Sequence, residues 1–358
     1  MERVSRGFRD RDYIETIDGL FFAVIGNVHP NDRVFAFPKY VPSHRGKWGK
    51  GRRRYRRLVR YYSASNVMKQ IEFLRGRYPE YLFRSEPLRM TFFAVPLERI
   101  AKHYRPDERL KDLFRTDDLD NLEKKAVELA SLLCDDSGIS LDSLGITGSI
   151  LLDVHNVSFS DIDLVVYGRD ESRKIKEALL RLYARGAVQK LQGTRLSRWC
   201  REMSTVHPLT LNEARMLYSR KWNKGVFKNT IFSIHPTKTE EEVSERYGDE
   251  VYKSHGIVEA RAKVVDTTDS YFLPSIYLVD CVQLQGSGKF NKVHKVVSFE
   301  GLYADIAESG EWLVIRGKLE DVLDRSGRLK YQRILVGSPQ ARGYDFLKLF
   351  MDKDLCCC

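Results

Sequence analysis

No stretch of this chain approaches the roughly 20 apolar residues that cross a bilayer. The opening residues Met1-Glu2-Arg3-Val4-Ser5-Arg6 lead into charge and contain no apolar signal core. No membrane partner and a cytoplasmic location are therefore expected. Cysteine is scarce too. Of the 6 present, Cys134, Cys200 and Cys281 are isolated, while Cys356, Cys357 and Cys358 end the chain. No C-x-x-C pair or zinc-like spacing occurs, which argues against a zinc ribbon or a disulfide scaffold. A prenylation signal requires a cysteine where Leu355 stands, so the terminal triplet reads as a frayed tail. No internal repeat is visible.

What is present is an ordinary globular balance, 42% hydrophobic and 30% charged, enough to build a sizeable core. A length of 358 residues suggests two or three domains. The net charge of +11 favours polyanionic partners such as nucleic acid or nucleotides.

Three regions differ in texture. Residues 1–112 open with apolar runs over 20–25 and 33–37 that read as strands. A Gly-, Pro- and Asn-containing connection between them suggests a hairpin. A helix is expected over 65–77, with Val67, Ile71 and Leu74 on one face. Residues 113–250 look α/β. Asp118 is placed to cap a helix carrying Leu122, Ala126, Leu129, Ala130 and Leu133. Asp170 is placed to cap another, with Ile175, Ala178, Leu179 and Leu182 in one stripe and Gly186 beyond its end. Residues 251–358 are strand-rich, with candidate strands over 257–265, 276–284, 292–299, 312–319 and 329–336. Turns such as Gly286-Ser287-Gly288 separate them, and five short strands so spaced suggest a small OB-like barrel.

The chemistry-bearing stretch is Gly145-Ile146-Thr147-Gly148-Ser149-Ile150-Leu151-Leu152, followed by Ser160-Asp161-Ile162-Asp163-Leu164-Val165-Val166-Tyr167. Gly148 permits close approach of a phosphate to the backbone. The Ser149 hydroxyl adds a donor, and the residues after it can start a helix whose N–H groups face an anion. Alternate residues of a strand share a face, so Asp161 and Asp163 point the same way while Ile162 and Leu164 point inward. Paired carboxylates repel unless a cation lies between them, and magnesium bridging to substrate phosphates is the usual solution.

This Gly-Ser and Asp-x-Asp pattern resembles the signature of the DNA polymerase beta nucleotidyltransferase superfamily, its archaeal-type predicted members in particular. The match is best over about residues 120–185. The resemblance implies an α+β fold: a polymerase beta-like mixed sheet with helices, flanked by an α/β N-terminal region and a C-terminal small β-barrel. It implies that Gly148 and Ser149 contact a nucleoside triphosphate and that Asp161 and Asp163 bind magnesium or manganese. The implied activity is transfer of a nucleoside monophosphate to a hydroxyl, the charge pointing to RNA or other nucleic acid as acceptor. The alternatives are a nucleotide- or RNA-binding protein that keeps the fold without the chemistry, and a nucleotidyltransferase that modifies a protein.

The superfamily supplies a third carboxylate from a later strand, yet the candidate strand over 225–236 has no Asp or Glu. Glu259 is expected to complete the catalytic set, with His235 as the other candidate and Asp266 near the same strand as Glu259. Arg220 and Lys221, in the basic cluster before the candidate strand, are expected to face the triphosphate.

The second motif is basic. Nine of the sixteen residues over 45–60 are Lys or Arg, interleaved with Trp48 and Tyr55 and followed by Tyr61 and Tyr62. Cations with stackable rings suit single-stranded nucleic acid. Neutralising Arg52, Arg53, Arg54, Arg56 and Arg57 should weaken RNA binding and flatten its salt dependence. Each lost phosphate contact lowers the log–log slope by about 0.7–0.9. Filter binding across a salt series checks this, and an unchanged slope would show that these residues touch no phosphate.

Overall fold

A computed structural model describes residues 6–51, 53–59, 64–285 and 293–350. Arg52, Arg60, Tyr61, Tyr62, the turn Gly286-Ser287-Gly288 and the terminal Cys356, Cys357 and Cys358 lie outside the described residues. The fold is mixed α+β, with two open sheets and a closed five-stranded barrel.

The N-terminal unit contains β1 (Tyr13–Thr16), β2 (Phe21–Val24), β3 (Arg33–Pro42), β4 (Tyr55–Arg57), helix α1 (Ala64–Arg77), β5 (Leu82–Ser85), β6 (Met90–Pro96) and β7 (Ile100–Tyr104). Its sheet runs β5-β6-β3-β2-β1-β7, with β4 beside β3. All of these pairings are antiparallel, including the expected β2–β3 hairpin. Short connections explain this, since parallel pairs need long crossovers. The expected α1 stripe of Val67, Ile71 and Leu74 is buried in one cluster with Ile14, Phe22 and Val34.

The middle unit contains α2 (Pro106–Arg115), α3 (Asn121–Ser137), β8 (Leu144–Ile146), α4 (Gly148–Leu151), β9 (Ile162–Tyr167), α5 (Arg169–Ala184), α6 (Gly193–Val206), α7 (Leu211–Arg220), β10 (Lys224–Phe227) and β11 (Thr230–Thr237). Leu110 and Leu113 of α2 join its core, so α2 straddles residue 112. The sheet runs β10-β11-β9-β8, with β9 parallel to β11. Ile162, Leu164 and Val166 of β9 pack with the stripes of α3 and α5, which leaves the other face of β9 for the acids.

Two caps differ from expectation. Asp120, not Asp118, caps α3, because only Asp120 has a Glu three residues on. Its side chain accepts from the Leu122 and Glu123 N–H groups, and Glu123 reaches back to the Asp120 N–H. The cap of α5 is Gly168 at φ 102°, and Asp170 falls in the first turn.

The C-terminal unit holds β12 (Val251–Asp266), β13 (Ser275–Leu284), β14 (Val293–Ser298), β15 (Trp312–Leu323), β16 (Leu329–Val336) and β17 (Phe346–Leu349). Five of these follow the expected strands. The order β12-β13-β14-β16-β15 closes through β15–β12 pairing, and β17 adds to β15. Only closure removes sheet edges altogether. The barrel is filled by side chains such as Ala262, Val264, Tyr277, Leu313, Ile315 and Ile334.

Leu164 is fully buried at the centre of the middle sheet. Leu164→Ala should cost about 2–5 kcal/mol through lost burial and a residual cavity. Urea denaturation measures this, and a loss under about 1 kcal/mol would mean that the α3–β9–α5 layer is not a tightly packed core.

Candidate functional site

The turn between β8 and α4 is drawn against β9. The Thr147 N–H donates to the Asp163 carbonyl at 2.8 Å. Gly148 follows at φ +70°, and a Cβ built there would lie 2.7 Å from Asp163 Oδ2. Glycine is therefore required twice, for its left-handed backbone and for contact with the carboxylate. Ser149 is buried immediately behind it. The structure thus brings Gly148, Ser149 and Asp163 together, with Asp161 on the same face of the chain.

β11 supplies the neighbouring strand, with Ser233 directly opposite Asp163. The Ser233 hydroxyl donates to Asp163 Oδ1 and lies 3.0 Å from His235 Nε2, which is 3.6 Å from the same carboxylate oxygen. His235 therefore approaches the acid pair as expected. Glu259 does not. It lies on β12 in the barrel, directly opposite Arg316 of β15, and its carboxylate accepts from that guanidinium. A different sheet carries it, so the alternation that aligns Asp161 and Asp163 does not extend to it. Asp266 is likewise occupied, accepting from the Thr268 N–H and hydroxyl.

The cations around the acids come from elsewhere than expected. Arg220 pairs with Glu311 at 2.7 Å. Buried Lys221 donates to the Gly301 and Ala304 carbonyls. Both tie α7 to the C-terminal unit rather than facing a triphosphate. Instead Lys39 of β3 acts on Asp163, while Lys224 of β10 and Arg57 of β4 act on Asp161. Arg57 also donates to the Tyr40 hydroxyl at 3.2 Å and lies 4.9 Å from the Trp48 ring centre. Trp48 meets Phe159, two residues before Asp161, edge to face at 5.7 Å. The basic segment therefore borders the acid pair. Its other described arginines are exposed: Arg53 pairs with Glu15, Arg54 donates to the Gly51 carbonyl, and Arg56 lies by the Phe73 ring.

The two acids differ electrostatically. Desolvation pushes Asp161 up to about 6, with help from Asp163 and Glu202 against the charges of Lys224 and Arg57. Desolvation also opposes ionisation of Asp163, but His235, Lys39 and the Ser233 hydroxyl together outweigh it and hold its carboxyl below the usual range. Burial and the Arg57 charge bring Lys39 down to about 7, partly offset by Asp163. Glu202 of α6 and Lys39 were missed in the sequence, where nothing marks either as a neighbour of the pair.

Among the described residues, one trio of His, Cys, Asp or Glu side chains has ligand atoms within 4.8 Å of one another: Asp120, Glu123 and His155. Its carboxylate oxygens are already committed. Asp120 accepts two backbone N–H groups and faces His155 at 2.6 Å, while Glu123 takes Arg109 and the Asp120 N–H. This is a helix cap. Asp161 and Asp163 offer magnesium two hard oxygen donors, and phosphate oxygens are its usual remaining partners.

The chain is 32% identical over 344 residues to Uncharacterized protein MJ1086 of Methanocaldococcus jannaschii, a match covering 95% of this chain and 98% of that protein. The chain belongs to the same family as that archaeal protein. No family model and no solved structure matches it. No helix among the described residues is long and apolar enough to cross a membrane.

Gly148→Ala should lose about 1–2 kcal/mol of stability from the left-handed backbone. It should also weaken metal-dependent triphosphate binding, because Asp163 must move. Gly138→Ala is the control, since Gly138 has φ +72° with nothing within 4 Å of the added Cβ. Denaturation and calorimetry on both variants should show a similar stability loss and a binding defect in Gly148→Ala alone. Equal binding by the two would contradict the role given to the Gly148–Asp163 contact.

Proposed function

We propose that the protein is a magnesium- or manganese-dependent nucleotidyltransferase that moves a nucleoside monophosphate from a nucleoside triphosphate to a hydroxyl on RNA or other nucleic acid. The observation that carries this reading is the seating of Gly148 against Asp163. It puts a turn able to accept a phosphate beside a strand bearing two carboxylates. Lys39, Arg57 and Lys224 add positive charge from three further strands, as a triphosphate requires. The order β10-β11-β9-β8, with the acids on an inner strand, agrees with a polymerase beta-like sheet. The barrel order β12-β13-β14-β16-β15 supports an OB-like reading of the C-terminal unit.

Asp161 and Asp163 would hold the metal, which would neutralise the triphosphate and polarise the phosphoryl group under attack. Gly148 and Ser149 would position the phosphates, and the basic segment beside Trp48 would guide the acceptor strand. Ser233 and His235 occupy the place where the resembling superfamily keeps its third carboxylate. That observation favours one second reading: a protein that binds nucleotide or RNA at this site without transferring it.

Asp161→Asn with Asp163→Asn keeps the side-chain shapes and removes both charges. Calorimetry with magnesium and each nucleoside triphosphate should show metal-dependent binding by the unaltered chain and none by the double variant, with unchanged thermal unfolding. Retained metal-dependent binding in the variant would remove these residues from the site.

A further inference from the structure

A second concavity lies at the other end of α4. It has a volume of about 430 Å³, within the usual range for small-molecule sites. One wall is the N-terminal unit, including Phe21, Tyr55, Lys102 and Tyr104. The other is the end of α4 and the residues that follow, among them Leu151 and Leu152. Five lining residues are Lys or Arg and three are Asp or Glu, so the wall carries excess positive charge.

Four of these five cations are engaged. Lys50 pairs with Asp153, Arg53 with Glu15, Arg105 with Asp107 and Glu108, and Arg109 with Glu123. Lys102 is exposed and makes no ion pair among the described residues. Its Nζ lies 4.4 Å from the Tyr104 ring centre. The Tyr104 ring is fixed from two directions: its hydroxyl donates to Glu15 at 2.7 Å, and Phe21 meets it edge-on at 5.8 Å. Glu15 also holds Arg53 at 2.6 Å, which keeps a second cation near the ring. A rigid ring beside an uncommitted ammonium group suits a ligand that carries both a flat ring and a phosphate.

We propose that this cavity binds a phosphorylated nucleoside unit, with its base against Tyr104 and its phosphate at Lys102. The ligand comes either as a free mononucleotide or as the phosphorylated end of a strand. None of the cavity's contacts requires a metal, so the site is separate from the acid pair and does not rest on catalysis there.

The test is calorimetry on the full chain in EDTA, with AMP, UMP and a short 5′-phosphorylated oligoribonucleotide as probes. Metal-free binding is expected, weakened tenfold or more by Lys102→Ala and by Tyr104→Ala. Tyr104→Phe should retain most of it, because the ring remains. Mononucleotide binding identifies a free ligand, binding by the oligonucleotide alone identifies a strand end, and either supports the proposal. Asp161→Asn with Asp163→Asn should leave this binding intact while removing metal-dependent triphosphate binding, which separates the two sites. The proposal is overturned if no probe binds in EDTA, or if Lys102→Ala, an exposed substitution that leaves the core untouched, has no effect on binding.

Discussion

Two carboxylates held two residues apart on one strand repel each other, and the surroundings of β9 are arranged around that repulsion. Asp163 is drawn toward Ser233 and His235 on β11 and is pressed against the bare backbone of Gly148. Asp161 stays at the solvent side, where desolvation and its acidic neighbours oppose its charge. The balancing cations come from β3, β4 and β10, so the middle sheet does not complete the site alone. The N-terminal unit is part of the same construction.

Packing makes that arrangement stiff. Leu151, Leu152 and Val154, which follow the Gly148–Ser149 turn, are buried among Tyr13, Phe21, Tyr40 and Tyr55 of the N-terminal unit. The Thr147 hydroxyl donates to the Arg11 carbonyl at 2.7 Å. One single-turn helix therefore fixes the glycine turn against the acids and docks the N-terminal sheet on the middle unit. Arg220 and Lys221 perform the corresponding task on the barrel side.

Local signals in the sequence were enough for the elements and for half of the site. Apolar periodicity located the α3 and α5 stripes, and the five barrel strands followed from turn spacing. Gly148, Ser149, Asp161 and Asp163 were legible because a tight turn and strand alternation are short-range properties. The remaining site residues depend on long-range pairing. Lys39 and Arg57 are more than 100 positions away from the acids they act on, while Arg220 and Lys221 are much closer in sequence yet point elsewhere. Glu259 has the right chemistry and strand pattern, but its strand closes the barrel opposite Arg316. His235 could be named because parallel pairing with β9 was expected for its strand, although its contact through Ser233 could not.

The acid pair, the glycine turn and the converging cations together describe a site that handles a nucleoside triphosphate and passes part of it on. The most direct test is to incubate the protein with α-phosphate-labelled nucleoside triphosphates, magnesium or manganese, and total RNA, and then to separate RNA from protein. The account predicts label on RNA, dependent on the divalent metal. Metal-dependent triphosphate binding with no label on any acceptor, for every nucleotide and both metals, would contradict it.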